Sequence, residues 1–203
     1  MKGPIWFVLL LSIAFHALAA EALDERHPRP MARKDFAIAN LSVVVENQPA
    51  WEVTLDETSE WPTVRVESPP NYYPPAIMEF VNLPGQRLPG NRTKAQTLAR
   101  DILATFAQTY AGHPVSLTND QLLSQRYDLL EGYETVISKL QNGSFDMRLF
   151  IGQASDAIAA DNRGGTEDDG MIVMVLMAPV GTLPALRHVV RRSWTNTYFH
   201  IAN

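Results

Sequence analysis

The chain has no cysteine in its 203 residues. That excludes a disulfide scaffold, a zinc ribbon, an iron–sulfur site, a cysteine nucleophile and the lipid-bearing cysteine of a bacterial lipoprotein. Positive charge is also scarce: 17 Lys and Arg face 22 Asp and Glu, a formal net charge of −5. Without a cationic excess to release counterions from phosphate, the composition argues against a nucleic-acid partner. Long apolar runs are missing beyond the N-terminus, so no transmembrane segment is expected in the mature chain. Local catalytic signatures are missing too. No Gly-x-Ser-x-Gly elbow, Ser-x-x-Lys pair, Walker-type loop or dinucleotide glycine pattern occurs. His27, His113, His188 and His200 are scattered without metal-ligand spacing. No cofactor and no metal is therefore expected.

What is present begins with an address. Lys2 precedes the apolar run Ile5 to Phe15, and Ala17-Leu18-Ala19 supplies small side chains at an exit. These are the parts of a Sec-type signal peptide, expected over residues 1–19 with cleavage before Ala20. The run is shorter than the roughly 20 apolar residues needed to span a bilayer. Cleavage removes Lys2 and leaves 16 basic against 22 acidic groups. The protein is thus expected in the periplasm or secreted, where a cysteine-free chain need not await oxidation.

Residues 20–35 are charged and proline-containing, and read as a mobile leader. From residue 36 the pattern becomes that of one α/β (α+β) domain reaching residue 203. Leu41–Val45, Trp51–Leu55 and Thr63–Glu67 look like strands, the last two with alternating apolar positions. The proline-framed segment Pro69–Pro75 should be stiff and extended on the surface. Thr93–Ala111 has an apolar stripe (Ala95, Leu98, Ala99, Ile102, Phe106, Tyr110) at helical spacing, with Thr93 as the expected N-cap. Leu129–Leu140, a turn at Asn142-Gly143 and Ser144–Gly152 form an expected hairpin. Met171–Ala178 is apolar throughout and should be a central strand covered on both faces. Residues 183–200 should close the chain as a helix, begun by Pro184. Hairpins dominate, so the sheet should be mostly antiparallel and covered by the two helices.

Pro49-Ala50-Trp51, Gly132-Tyr133-Glu134, and Met171–Ala178 followed by Pro179 and the last helix carry a resemblance. The order of parts resembles the fold shared by the photosystem accessory protein PsbP and the periplasmic DcrB-like proteins, over roughly residues 36–203. Residues 56–90 depart from that family's early helix. The resemblance implies a PsbP-like sandwich, an antiparallel sheet between helices with a strand feeding straight into the closing helix. It also implies an accessory or binding role, and it supplies no catalytic residues.

Three surface features stand out as candidate partner-binding groups. Tyr72 and Tyr73, framed by prolines, could form a rigid aromatic surface or tuck onto the sheet. Asp161, Glu167, Asp168 and Asp169 crowd a loop around Gly164-Gly165, suited to a solvated connector, a basic partner or calcium. Arg187, Arg191 and Arg192, with His188, line the last helix as an anion-gripping stripe or as its wet side. The expected function is an exported, non-catalytic accessory protein of the cell envelope that binds a protein partner, in the manner of an inhibitor or immunity protein. The alternatives are an envelope hydrolase whose site is assembled from distant residues, and a lipid or small-ligand carrier.

Overall fold

A computed structural model of the chain describes residues 30–39, 41–58, 61–111, 120–127, 130–137, 145–154, 170–196 and 198–199. The expected signal peptide, the first part of the leader, the Asn142-Gly143 turn and the acidic loop lie outside these residues. Among the described residues the fold is α+β, with two antiparallel sheets and two α-helices.

The strands are β1 (Met31–Phe36), β2 (Leu41–Glu46), β3 (Glu52–Asp56), β4 (Thr63–Glu67), β5 (Ile77–Leu83), β6 (Asp120–Tyr127), β7 (Leu130–Ile137), β8 (Phe145–Ala154), β9 (Met171–Pro179) and β10 (Tyr198–Phe199). Helix α1 spans Arg92–Ala111, and a 3₁₀ turn at Leu183–Leu186 runs into α2, Arg187–Asn196. A small sheet has the order β1-β2-β10 and the large one β3-β4-β5-β9-β8-β7-β6.

Strand β9 is buried on both faces, as its unbroken apolar run predicts. Met171, Val173, Val175 and Met177 pack into one core with Ala95, Ala99, Leu103 and Ala107 of α1. Three of those four helix positions are alanines, whose short side chains let the helix lie close on the sheet. Ile172, Met174, Leu176 and Ala178 face the other core, with Leu186, Val190 and Trp194 of the closing helical segment and with Leu41, Val43 and Val45 of β2. Each helix therefore covers one face of the same sheet. Strand β8 keeps the expected alternation: Met147, Leu149 and Ile151 join the α1 core, while Phe150 meets Trp194 with ring centroids 5.5 Å apart.

The structure corrects several expectations. The leader is not mobile to its end, because Met31–Asp35 belongs to β1 and pairs with β2. The N-cap of α1 is Asn91, whose Oδ1 accepts the N–H groups of Thr93 at 2.9 Å and Lys94 at 3.3 Å. Thr93 instead lies one position inside the helix. The closing helix is shorter than 183–200. It starts as 3₁₀, becomes α at Arg187 and ends at Asn196, after which Tyr198–Phe199 pair with β2. Four strands go unmarked by the sequence pattern: β1, β5, β6 and β10. Between residues 56 and 90 the described chain holds β4 and β5 and no helix.

Candidate functional site

The alternation along β4 sends Val64 and Val66 into the α2 core and turns Thr63, Arg65 and Glu67 to the other face. Antiparallel register then sets Arg65 opposite Glu79 of β5, and Glu67 opposite Ile77. Arg65 Nε bonds Oε1 of Glu67, and Arg65 Nη1 lies 3.4 Å from Oε1 of Glu79. The last turn of α1 adds Tyr110. Its hydroxyl accepts from Arg65 Nη1 at 2.6 Å and donates to Glu79 Oε1 at 2.5 Å. The guanidinium also sits 5.3 Å from the centre of the Tyr110 ring, within cation–π range.

Burial governs the electrostatics of this group. Glu79 is only 8% exposed, and the loss of water around it pushes its carboxyl above the usual range. The bonds from Tyr110 and Arg65 oppose that rise without cancelling it. The Tyr110 hydroxyl is pushed well above its ordinary value, first by burial and then by its bond to Glu79. Near neutral pH such a tyrosine is a hydrogen-bond donor and not a base. Arg65 Nη1, Glu79 Oε1 and the Tyr110 hydroxyl bond one another, so the cluster acts as a clamp between helix and sheet.

The clamp forms part of the wall of a cleft of about 330 Å³ at one end of the large sheet, where β4 and β9 end and β5 and β8 begin. Glu67 and Tyr110 line it beside the apolar Ile77, Phe145, Met177 and Pro179. Its volume is at the lower end of the roughly 300–1,000 Å³ typical of ligand pockets, enough for one long side chain or a small molecule. Pro75 and Ala76 also line it, which brings the proline-framed tyrosine loop to its rim.

That loop is closed at its base. Ser68 N–H donates to Ala76 O at 2.9 Å, and Ala76 N–H to Ser68 Oγ at 2.8 Å. The two tyrosines behave differently. Tyr72 is half-buried, edge-on to Trp51 at 5.0 Å, and its hydroxyl donates to Glu46 Oε2 at 3.1 Å. Tyr73 is 87% exposed. The structure thus joins two alternatives, one ring tucked under and the next presented. Asp161, Glu167, Asp168 and Asp169 lie outside the described residues. Arg187 and Arg191 are exposed on α2 and Arg192 is half-buried. His188, Arg191 and Arg192 each have an interaction partner already. Helix α2 packs on the face opposite α1, so the arginine stripe and the clamp belong to different faces of the sheet.

Sequence reasoning overlooked Arg65, Glu67, Glu79 and Tyr110 as a group. Arg65 and Glu67 sit two apart in an alternating strand, which is a readable signal. Glu79 interrupts the apolar Ile77–Leu83, and a carboxylate inside such a run asks for a partner. Tyr110 was indistinguishable from the rest of its apolar stripe. Among the described residues no group of three or more His, Asp or Glu side chains could hold a metal ion, and no helix is long and apolar enough to cross a membrane. No protein-family model, curated protein or solved structure matches the chain.

Proposed function

We propose that the protein is an exported, non-catalytic binding protein of the cell envelope that holds a protein partner against the cleft end of its large sheet. The observation that carries this reading is Tyr73, 87% exposed on a closed loop whose next residues line the cleft. Covering the exposed apolar area of such a ring against a partner is favourable. A tyrosine loses little rotamer entropy on being covered, so it makes a good anchor. Tyr72 holds the loop down through Trp51 and Glu46, and Tyr73 is presented on that base. Export rests on the signal-like residues 1–19, and the relation to the PsbP-like and DcrB-like proteins rests on the order of strands and closing helix.

The test places a photo-crosslinking amino acid at position 73, and at the exposed α1 position 105 as control, in cells of the source organism. One protein adduct specific to position 73, on an exported chain beginning at Ala20, is the expected result. Absence of a protein adduct at position 73 in cells where the chain is exported and folded sinks the binding reading. A chain that keeps residues 1–19 sinks the export reading. A co-purifying small molecule in native mass spectrometry, with no protein adduct, would favour the carrier alternative, for which the cleft's volume is adequate.

A further inference from the structure

The face of β3 and β4 beside the cleft carries a charge that no described residue neutralises. Side chains directly opposite in antiparallel strands share a face. The register therefore puts Glu52, Thr54 and Asp56 of β3 on one surface with Thr63, Arg65 and Glu67 of β4 and with Ile77, Glu79 and Val81 of β5. That surface holds four carboxylates and one arginine, a formal balance of −3. With Glu79 taken as protonated the balance is still −2.

Two details make this more than a wet acidic surface. Glu52 and Glu67 are paired directly across the β3–β4 ladder, and like charges in that arrangement are destabilising. Glu67 also stands at the boundary, with Glu52 on one side and the cleft residue Ile77 on the other. Arg65 takes Oε1 of Glu67. Among the described residues Oε2 of Glu67 has no hydrogen-bond partner, and Glu52 has no ion pair. The cleft walls beyond Glu67 are apolar: Ile77, Phe145, Met177 and Pro179. An aliphatic stem ending in a cation matches that sequence of surfaces, because its methylenes lie on apolar walls while its head meets carboxylate.

We infer that the cleft receives a lysine or arginine side chain from a basic segment of the partner protein, its stem along Ile77 and Met177 and its charged head at Glu67 and Glu52. The inference deepens the binding reading above and rests on it. Arg65 covers only Oε1 of Glu67, and the partner's cation relieves what remains of the like-charge pair in the β3–β4 ladder. Tyr73, two residues before the cleft-lining Pro75, covers a neighbouring part of the same segment.

The test uses the full chain and a lysine- and arginine-rich peptide, with the same peptide carrying glutamine at its basic positions, and spermidine, as comparisons. Titration calorimetry should show the basic peptide binding, with affinity falling as salt is raised, and no binding of the glutamine peptide. Glu67→Gln should weaken the basic peptide about tenfold, the loss of one well-placed charged contact. Glu52→Gln should weaken it several-fold and at the same time raise Tm, because it removes the like-charge pair. Opposite signs on binding and stability are what a merely structural role cannot produce. Equal affinity of wild type and Glu67→Gln overturns the proposal, as does equal binding of the glutamine peptide. Spermidine binding that matches the peptide's, with the same dependence on Glu67, would overturn it in favour of a free polyamine. The adduct at position 73 separates the two readings. If Glu67→Lys leaves it intact, the cleft inference fails and the partner reading stands. If the basic peptide binds while position 73 yields no protein adduct, the partner reading fails.

Discussion

The hydroxyl of Tyr110, in the last turn of α1, donates to Oε1 of Glu79 on β5 at 2.5 Å across 31 residues of sequence. This bond ties the end of the helix to the sheet next to the cleft, and it ends on a carboxylate that burial makes reluctant to ionise.

The first prediction follows from that reluctance. A glutamate whose folded-state pKa is raised holds its proton more readily in the folded chain than in the unfolded one. Its stabilising contribution is complete below the ordinary value of 4.5 and is lost as the pH rises through the raised folded-state value. Glu79→Gln cannot ionise, so its stability should lack this fall. Urea unfolding of both proteins across that window checks the point, and parallel stability curves would refute it.

Tyr110 should resist ionisation in the folded protein. Its pKa is raised, so the unfolded chain loses this proton first, and stability drops as the pH passes the ordinary value of 10.0. Alkaline titration of tyrosinate absorbance should show the same amplitude before unfolding in the wild type and in Tyr110→Phe, with the extra tyrosine of the wild type appearing only on unfolding. Equal titration amplitudes before unfolding would mean that Tyr110 never ionises within the fold; a smaller amplitude for Tyr110→Phe would contradict the raised pKa.

Asn91→Ala should cost about 0.5–2 kcal/mol, the usual price of removing an N-cap side chain. Thr93→Ala should cost much less, because Thr93 enters the cap only through its backbone N–H, which donates to Asn91 Oδ1 and which alanine keeps. Denaturant midpoints of the two variants rank them, and the reverse ranking would show that the helix is capped differently.

Tyr72→Phe removes a donor to the buried Glu46, and leaving a buried acceptor without its bond costs about 1–3 kcal/mol. The low end is expected here because Tyr72 is only half-buried. Tyr73→Ala should leave stability within about 0.5 kcal/mol, as surface changes do. A comparable loss in both variants would mean that Tyr73 supports the fold as well.

Trp194→Ala should be the most damaging of these changes, costing about 3–5 kcal/mol, since it empties a large site between α2 and the sheet, against Phe150. A Tm shift no larger than that of Asn91→Ala would contradict the burial of this ring.

The elements read most easily were those whose pattern came from burial alone. Met171–Ala178 announced a doubly covered strand because every position is apolar, and Thr93–Ala111 announced a helix because its alanines and leucines repeat at three and four. Strand β5 was harder, since Glu79 and Asn82 break its apolar run and prolines crowd its start. Strand β6, Asp120–Tyr127, is largely polar and has no period to find. Helix boundaries slipped by a residue or two at Asn91 and by several at Asn196, where pairing of Tyr198 and Phe199 with β2 overrides the apolar spacing. The clamp was illegible for a different reason. Arg65, Glu79 and Tyr110 meet only through strand register and helix placement, and neither is local. Of the features picked out from sequence alone, the tyrosine loop reaches the cleft and the arginine stripe lies on the other face, while the acidic loop is outside the described residues.

Strand β9 lends alternate side chains to the cores on both faces of the sheet and then ends at the cleft with Met177 and Pro179. Neither face can open by itself without dismantling the other, so the amide protons of β9 should exchange with solvent only when the whole domain unfolds. The apolar floor of the cleft thus belongs to the last part of the molecule to loosen. A ligand arriving there meets a surface already in its final form, and little of its interaction energy goes into organising the receptor. Slow departure would then be set by the visitor's own contacts, with the scaffold contributing constancy.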